Sequence, residues 1–187
     1  DPDAIDGTVL VVPSANLPAE RTLQRFGLDG LNMNREFPGD PGGSLTQRIC
    51  ATLATDLAAG ADVIVDVHSG GRSLRYAPGA AIRLSGDQGL DAASWRLARA
   101  LSLPFVYCSH FGSHRPSHSS AMAADLGIPA VAMEVGGSEA IRPADIDRVV
   151  RSLTDLLSSE GLLIGPARQH RPSTNLLLRD DLTVRAP

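Results

Sequence analysis

Three runs of apolar, largely β-branched residues dominate this chain: TVLVV at 8–12, ADVIVDV at 61–67 and PAVAMEV at 129–135. Each has the length of a strand rather than a helix. Continuous apolar character suits strands covered on both faces, as in mainly parallel sheets with helices packed over them. The segments between carry helical period. Residues 44–59 place Leu45, Ile49, Leu53 and Leu57 on one stripe, with Ser44 to cap the start and Gly60 to close the end. Leu90 to about Leu101 reads as an amphipathic helix through Trp95 and Leu97 that stops before Pro104. A short helix runs from Ser120 to Leu126, and Pro143 opens a longer one whose apolar face extends from Ile146 to Leu157. FVYC at 105–108 is a short strand, and residues 72–88, rich in Gly, Ala and Arg, read as irregular. The alternation predicts an α/β fold, a three-layer αβα arrangement around a mainly parallel or mixed sheet.

Composition excludes several classes. Apolar residues make up 43% of the 187 and charged residues 20%, ordinary usage for one globular domain. A net charge of −4 argues against a nucleic-acid partner. No apolar run approaches the roughly 20 residues that cross a bilayer. Two cysteines, Cys50 and Cys108, make no disulfide framework, so a reducing, cytoplasmic setting is expected. The chain opens DPDAIDG without an initiator Met and ends DDLTVRAP as if starting a further strand, so both ends read as cut. The expected division is a domain over 1–168, followed by a linker and the start of a β domain over 169–187.

Each apolar run ends in a polar cluster: PSAN, HSGG and EVGG. In open α/β sheets, sites form at the carboxyl ends of strands. His68 and Glu134 are therefore expected in one crevice, with glycines behind each to allow close approach. His68 can be a metal ligand, a general base or a structural histidine. Glu134 ends an apolar strand, where a carboxylate meets a cation, transfers protons, or pairs with an arginine.

A second feature is the loop DGLNMNREFPGDPGG at 29–43. Arg35 offers a planar fork that grips a carboxylate at two points, and Asn34 can donate to the same group. Arg25 lies just upstream. The alternative is that Asn32 and Asn34 satisfy turn backbone and the arginines face water. His110, His114 and His118 recur every four residues, but Gly112 and Pro116 between them disfavour a helix that would align them. That stretch reads as a loop lining a pocket, with His118 able to cap the following helix.

Taken in order, VVPSANLPA, Arg25, DGLNMNREFPGD, ADVIVDVHSGG and GIPAVAMEVGG resemble the succinylglutamate desuccinylase and aspartoacylase family, relatives of the zinc carboxypeptidases. The likeness covers most of residues 7–165. It implies a zinc-dependent deacylase acting on a small N-acyl amino acid, with one Zn2+ per chain. His68 resembles the third zinc ligand and Glu134 the general acid/base. Asn34 and Arg35 resemble the pair that holds the substrate carboxylate, and Arg25 the group that polarises the scissile carbonyl. The family's His-x-x-Glu, which supplies the other two ligands, is absent; the resemblance places it upstream of residue 1. LTVRAP resembles the start of the family's small C-terminal β domain. A homo-oligomer is left open. Rival readings are a carboxypeptidase acting on short peptides with the same residues, and a metal-free binding or inactive member of the same fold.

Overall fold

Alternation along the strands decides which side chains reach the core. The computed structural model describes residues 4–110, 118–138, 141–164 and 174–177, apart from the side chains of Leu57 and of residues 175–177. These form two compact units, one built from residues 4–8, 65–110, 129–138, 141–164 and 174–177, the other from 9–64 and 118–128.

The first unit holds a five-stranded mixed sheet of β1 (Ile64–His68), β2 (Arg75–Leu84), β3 (Phe105–His110), β4 (Ala130–Gly137) and β5 (Thr174–Leu177), in the order β1-β4-β2-β3-β5. β2 runs parallel to β3 and antiparallel to β4, and β3 runs parallel to β5. Val131, Met133 and Val135 of β4 point to one face, beside Ala80 and Ile82 of β2 and Val106 and Cys108 of β3, all buried. Helices α3 (Gln88–Ala100) and α5 (Pro143–Ser159) pack on the sheet and on each other, burying Leu97, Ala98 and Leu156. Asp87 caps α3 by accepting from the Leu90 amide at 2.9 Å. Arg96 of α3 pairs with Glu160 just beyond α5. The mixed sheet with flanking helices agrees with the expected α/β class.

The second unit carries α1 (Leu17–Arg21), α2 (Leu45–Thr52) and α4 (Ser119–Asp125). A single 3-10 turn, Met33–Arg35, lies in the polar loop, and α2 continues as a π turn over Leu53–Leu57 and a 3-10 turn over Ala58–Gly60. Its core gathers Phe37, Cys50, Ala54, Ala58 and Met122, with Met33, Leu53 and Ile64 against them.

Three expectations are corrected. Residues 8–12 form no strand, and Val9, Leu10, Val11 and Val12 are exposed rather than covered on both faces. Among the described residues no strand lies beside them, and a strand without a neighbour has no ladder to hold it. Residues 75–84, expected to be irregular, are a central strand. RYAPGAAIRL has poor strand propensity, but neighbours on both edges override it. Pro78 is accommodated where the register to β4 slips between Tyr76 and Gly79, a bulge that needs no N–H there. The buried stripe of 44–59 is Thr46, Cys50, Ala54 and Ala58, one residue on from the one read, and Leu45 is 40% exposed. Small side chains on that face let Phe37 approach. No described helix is long and apolar enough to cross a membrane.

Candidate active site

The alternation that buries Met133 turns Glu134 to the opposite face of β4. β1 is the neighbour of β4 and delivers His68 at its last position. Period two puts Asp66 on the same face of β1, and its Oδ2 lies 3.0 Å from His68 Nε2. Burial pushes the Glu134 carboxyl above the usual carboxylate range; His68 acts against that rise and Asp66 adds to it. Glu134 Oε2 is buried without a hydrogen-bond partner among the described residues. A buried carboxylate oxygen left unmatched costs free energy, so its place in the fold calls for a chemical reason.

The backbone behind these residues is locked. Gly70 donates to the Gly136 carbonyl at 3.3 Å and Ser138 to the Gly71 carbonyl at 2.7 Å, tying the exit of β1 to the end of β4. Gly137 has φ +110, and a Cβ there would stand 2.2 Å from the Leu74 carbonyl oxygen and 2.8 Å from Gly70. No other residue fits that crossing. Arg75 reaches both carboxylate oxygens of Asp145 at 3.0 and 3.2 Å and the Gly137 carbonyl at 3.3 Å, fixing the start of β2 to the first turn of α5.

The second unit presents the polar loop. Asp29 organises it: its carboxylate accepts from Ser44 Oγ, the Thr46 amide and Thr46 Oγ1, each at 2.7 Å, and from the Leu31 amide at 3.3 Å. These bonds, led by the Ser44 hydroxyl, hold the Asp29 carboxyl well below its ordinary range. They also cap α2 with a negative charge at its positive end. Ser44 N–H donates to Gln47 Oε1 at 3.0 Å, and Gln47 Nε2 donates to Glu36 at 3.1 Å. Gly39, with φ +93, lets the loop backbone lie on α2, where a Cβ would meet the Ala51 nitrogen at 2.3 Å.

Within that frame Asn32 accepts from the Asn34 amide at 3.2 Å, the Asx turn expected of it. Asn34 Oδ1 accepts from the Ser119 amide at 2.9 Å. Arg35 is exposed; its Nη1 donates to the Asn34 carbonyl at 2.6 Å, and it has no acidic partner among the described residues. Arg25 is also exposed, with no side-chain hydrogen bond or ion pair among the described residues. His68 and Glu134 thus sit together in the first unit, and Arg25, Asn34 and Arg35 belong to one loop region of the second. His118 stands at the N-cap of α4, buried, and its carbonyl accepts from Ala121 and Met122. His110 ends β3, and His114 lies outside the described residues. Among the described residues no group of three or more His, Cys, Asp or Glu is set to hold a metal ion.

Two contributors escaped sequence reasoning. Asp66 was within reach, because strand period couples it to His68 in the string DVH. Asp29 gave little local signal, since beyond the Leu31 amide two residues on its partners lie 15 and 17 residues away.

A sequence profile described as succinylglutamate desuccinylase/aspartoacylase catalytic domain matches residues 1–159. The N-alpha-acetyl-L-2,4-diaminobutyric acid deacetylase of Halomonas elongata is 32% identical over 162 residues, 86% of this chain and 47% of the relative. The product-bound structure of the ectoine utilization protein EutE (DoeB) from Ruegeria pomeroyi superposes with a TM-score of 0.87 at 29% identity, over 96% of this chain and 54% of that one. A succinylglutamate desuccinylase from Silicibacter sp. TM1040 gives 0.87 at 30% identity, over 95% and 54%. The chain spans about half the length of the relatives it matches.

Proposed function

This chain belongs to the succinylglutamate desuccinylase/aspartoacylase catalytic domain family, and from that premise we propose that it works in a deacylase, a hydrolase of non-peptide carbon–nitrogen bonds that frees a small amino acid from an N-acyl group. The observation that carries this is Glu134: a half-buried carboxyl with one oxygen left without a partner among the described residues, beside the His68–Asp66 pair. A structural carboxylate would be matched. A proton carrier must keep an oxygen available for water and for the leaving amine.

The donor set fits part of a zinc site. His68 is an imidazole at a strand end, oriented by a carboxylate as metal-bound histidines commonly are. It supplies one ligand where a catalytic zinc takes three from protein. We assign the remaining two to sequence outside the described residues, as the His-x-x-Glu of the family implies. Zinc, when bound, supplies Lewis acidity that makes water nucleophilic near neutral pH and polarises the acyl carbonyl.

The chain's own residues do the rest. Glu134 accepts a proton from the attacking water as the oxygen bonds to the acyl carbon, then gives it to the nitrogen as the C–N bond breaks. Arg25 donates to the carbonyl oxygen while negative charge builds there. Arg35 grips the amino-acid carboxylate at two points and Asn34 donates through Nδ2, which selects an N-acyl amino acid over a plain amide. The 2,4-diaminobutyrate relative makes an N-acetylated diamino acid the first substrate to try.

The test is hydrolysis by the full-length protein of Nα-acetyl-L-2,4-diaminobutyrate, other N-acetyl and N-succinyl amino acids, and dipeptides, before and after chelation. Acyl release that stops on chelation and returns with zinc is expected. Cleavage of dipeptides without deacylation would overturn the reading.

A further inference from the structure

Asn34 is held more firmly than a residue of a surface turn needs to be. Asn32 accepts from its amide at 3.2 Å, its own carbonyl accepts from Arg35 Nη1 at 2.6 Å, and its side-chain oxygen accepts from Ser119 N–H at 2.9 Å. Ser119 is the first residue of α4, 85 positions away. A backbone N–H can be met only by an acceptor, so the amide oxygen must face Ser119 and the NH2 group must point the other way. The core fixes this geometry from below: Met122 of α4 packs in one cluster with Phe37 of the loop and Cys50 of α2, and Met33 lies against it.

We propose that the Ser119 backbone N–H is a positioning group for the carboxylate clamp, locking the Asn34 amide with its donor side toward the substrate and steadying the backbone on which Arg35 folds. The inference rests on the clamp role given to Asn34 and Arg35 above. An unlocked asparagine amide presents oxygen or nitrogen with little preference, and its oxygen repels a carboxylate. A locked one presents only donors. α4 thereby contributes to specificity without touching the substrate.

Ser119 allows a narrow test. It occupies the first helical position, where proline is well tolerated, and His118 before it is extended at φ −95 and ψ 158, the conformation proline asks of its predecessor. Ser119→Pro therefore deletes the N–H and leaves the helix, while Ser119→Ala removes the hydroxyl and keeps the N–H. Steady-state kinetics of the full-length, zinc-loaded protein on N-acetyl amino acids is the assay. Ser119→Pro is expected to raise KM about tenfold over Ser119→Ala, the scale of one hydrogen bond, with kcat within about twofold. Equal KM values for the two variants would overturn the inference.

Asn34→Ala separates it from the reading beneath: unchanged KM there sinks the clamp and the inference together. A raised KM in Asn34→Ala with no difference between the Ser119 variants sinks the inference alone. Asn34→Asp gives a second route should Ser119→Pro not fold. It keeps an acceptor for Ser119 and loses the donor, so it should melt with the unaltered protein and raise KM at least as far as Asn34→Ala. A melting temperature as low as that of Asn34→Ala would show that the Ser119 contact is not made.

Discussion

Asp29→Ala tests the frame of the loop that carries Asn34 and Arg35, the proposed clamp. The Asp29 carboxylate collects three contacts at 2.7 Å and one at 3.3 Å, and satisfies both the amide and the hydroxyl of Thr46, a residue only 1% exposed. Removing an N-cap acceptor costs about 1–2 kcal/mol. Hydrogen bonds to a charged group raise that figure, but Asp29 itself faces solvent, which weakens them. A loss of about 2 kcal/mol follows, equivalent to about 4–8 °C in Tm for a domain of this size.

The pH dependence carries the sign. The Asp29 carboxyl titrates below its ordinary range in the folded protein, chiefly through the Ser44 hydroxyl. Its contribution is therefore complete above the unfolded value, near 4, and is lost as pH falls through the folded one. Thermal unfolding of the two proteins should show a constant gap from about pH 5 to 8 that narrows below about pH 4. KM should rise as the Asn34–Arg35 segment loosens. Equal melting temperatures at pH 7, or a gap that survives to the lowest pH, would refute the reasoning.

Two further outcomes follow. Gly137→Ala should lower stability by about 3 kcal/mol, from left-handed backbone and a contact at 2.2 Å with the Leu74 carbonyl, and should reduce kcat by displacing His68 from Glu134; wild-type melting and turnover would contradict it. Cys50, pushed up to about 11 by burial with Glu36 and Asp29 nearby, and Cys108, raised by burial and by Asp91, should resist iodoacetamide in the native protein at pH 8 and react on unfolding; labelling at the rate of a free thiol would refute that.

What could be read from sequence was what local period encodes. β3, β4 and α3 carry apolar patterns that fix their faces, whereas Val67 of β1 and Ile146 and Val150 of α5, read as covered, are exposed. His68 ends β1 as read, and Glu134 lies three residues before the end of β4. β2 was hidden because its strand character comes from its neighbours: a proline at a bulge and small residues at the centre leave little local signal. TVLVV misled for the converse reason, a strand-like sequence with no strand beside it among the described residues. The contacts that hold the polar loop, Asp29 to Thr46 and Asn34 to Ser119, span 17 and 85 positions and depend on tertiary packing alone.

The central claim is that Glu134 moves the proton in a metal-assisted deacylation, and Glu134→Gln in the full-length protein tests it most directly. The amide fills the same space, so zinc content should stay at about one per chain while kcat falls by about 10²–10⁴-fold. Turnover near that of the unaltered protein would contradict the account. So would loss of zinc together with activity, which would make Glu134 a ligand instead of the proton carrier.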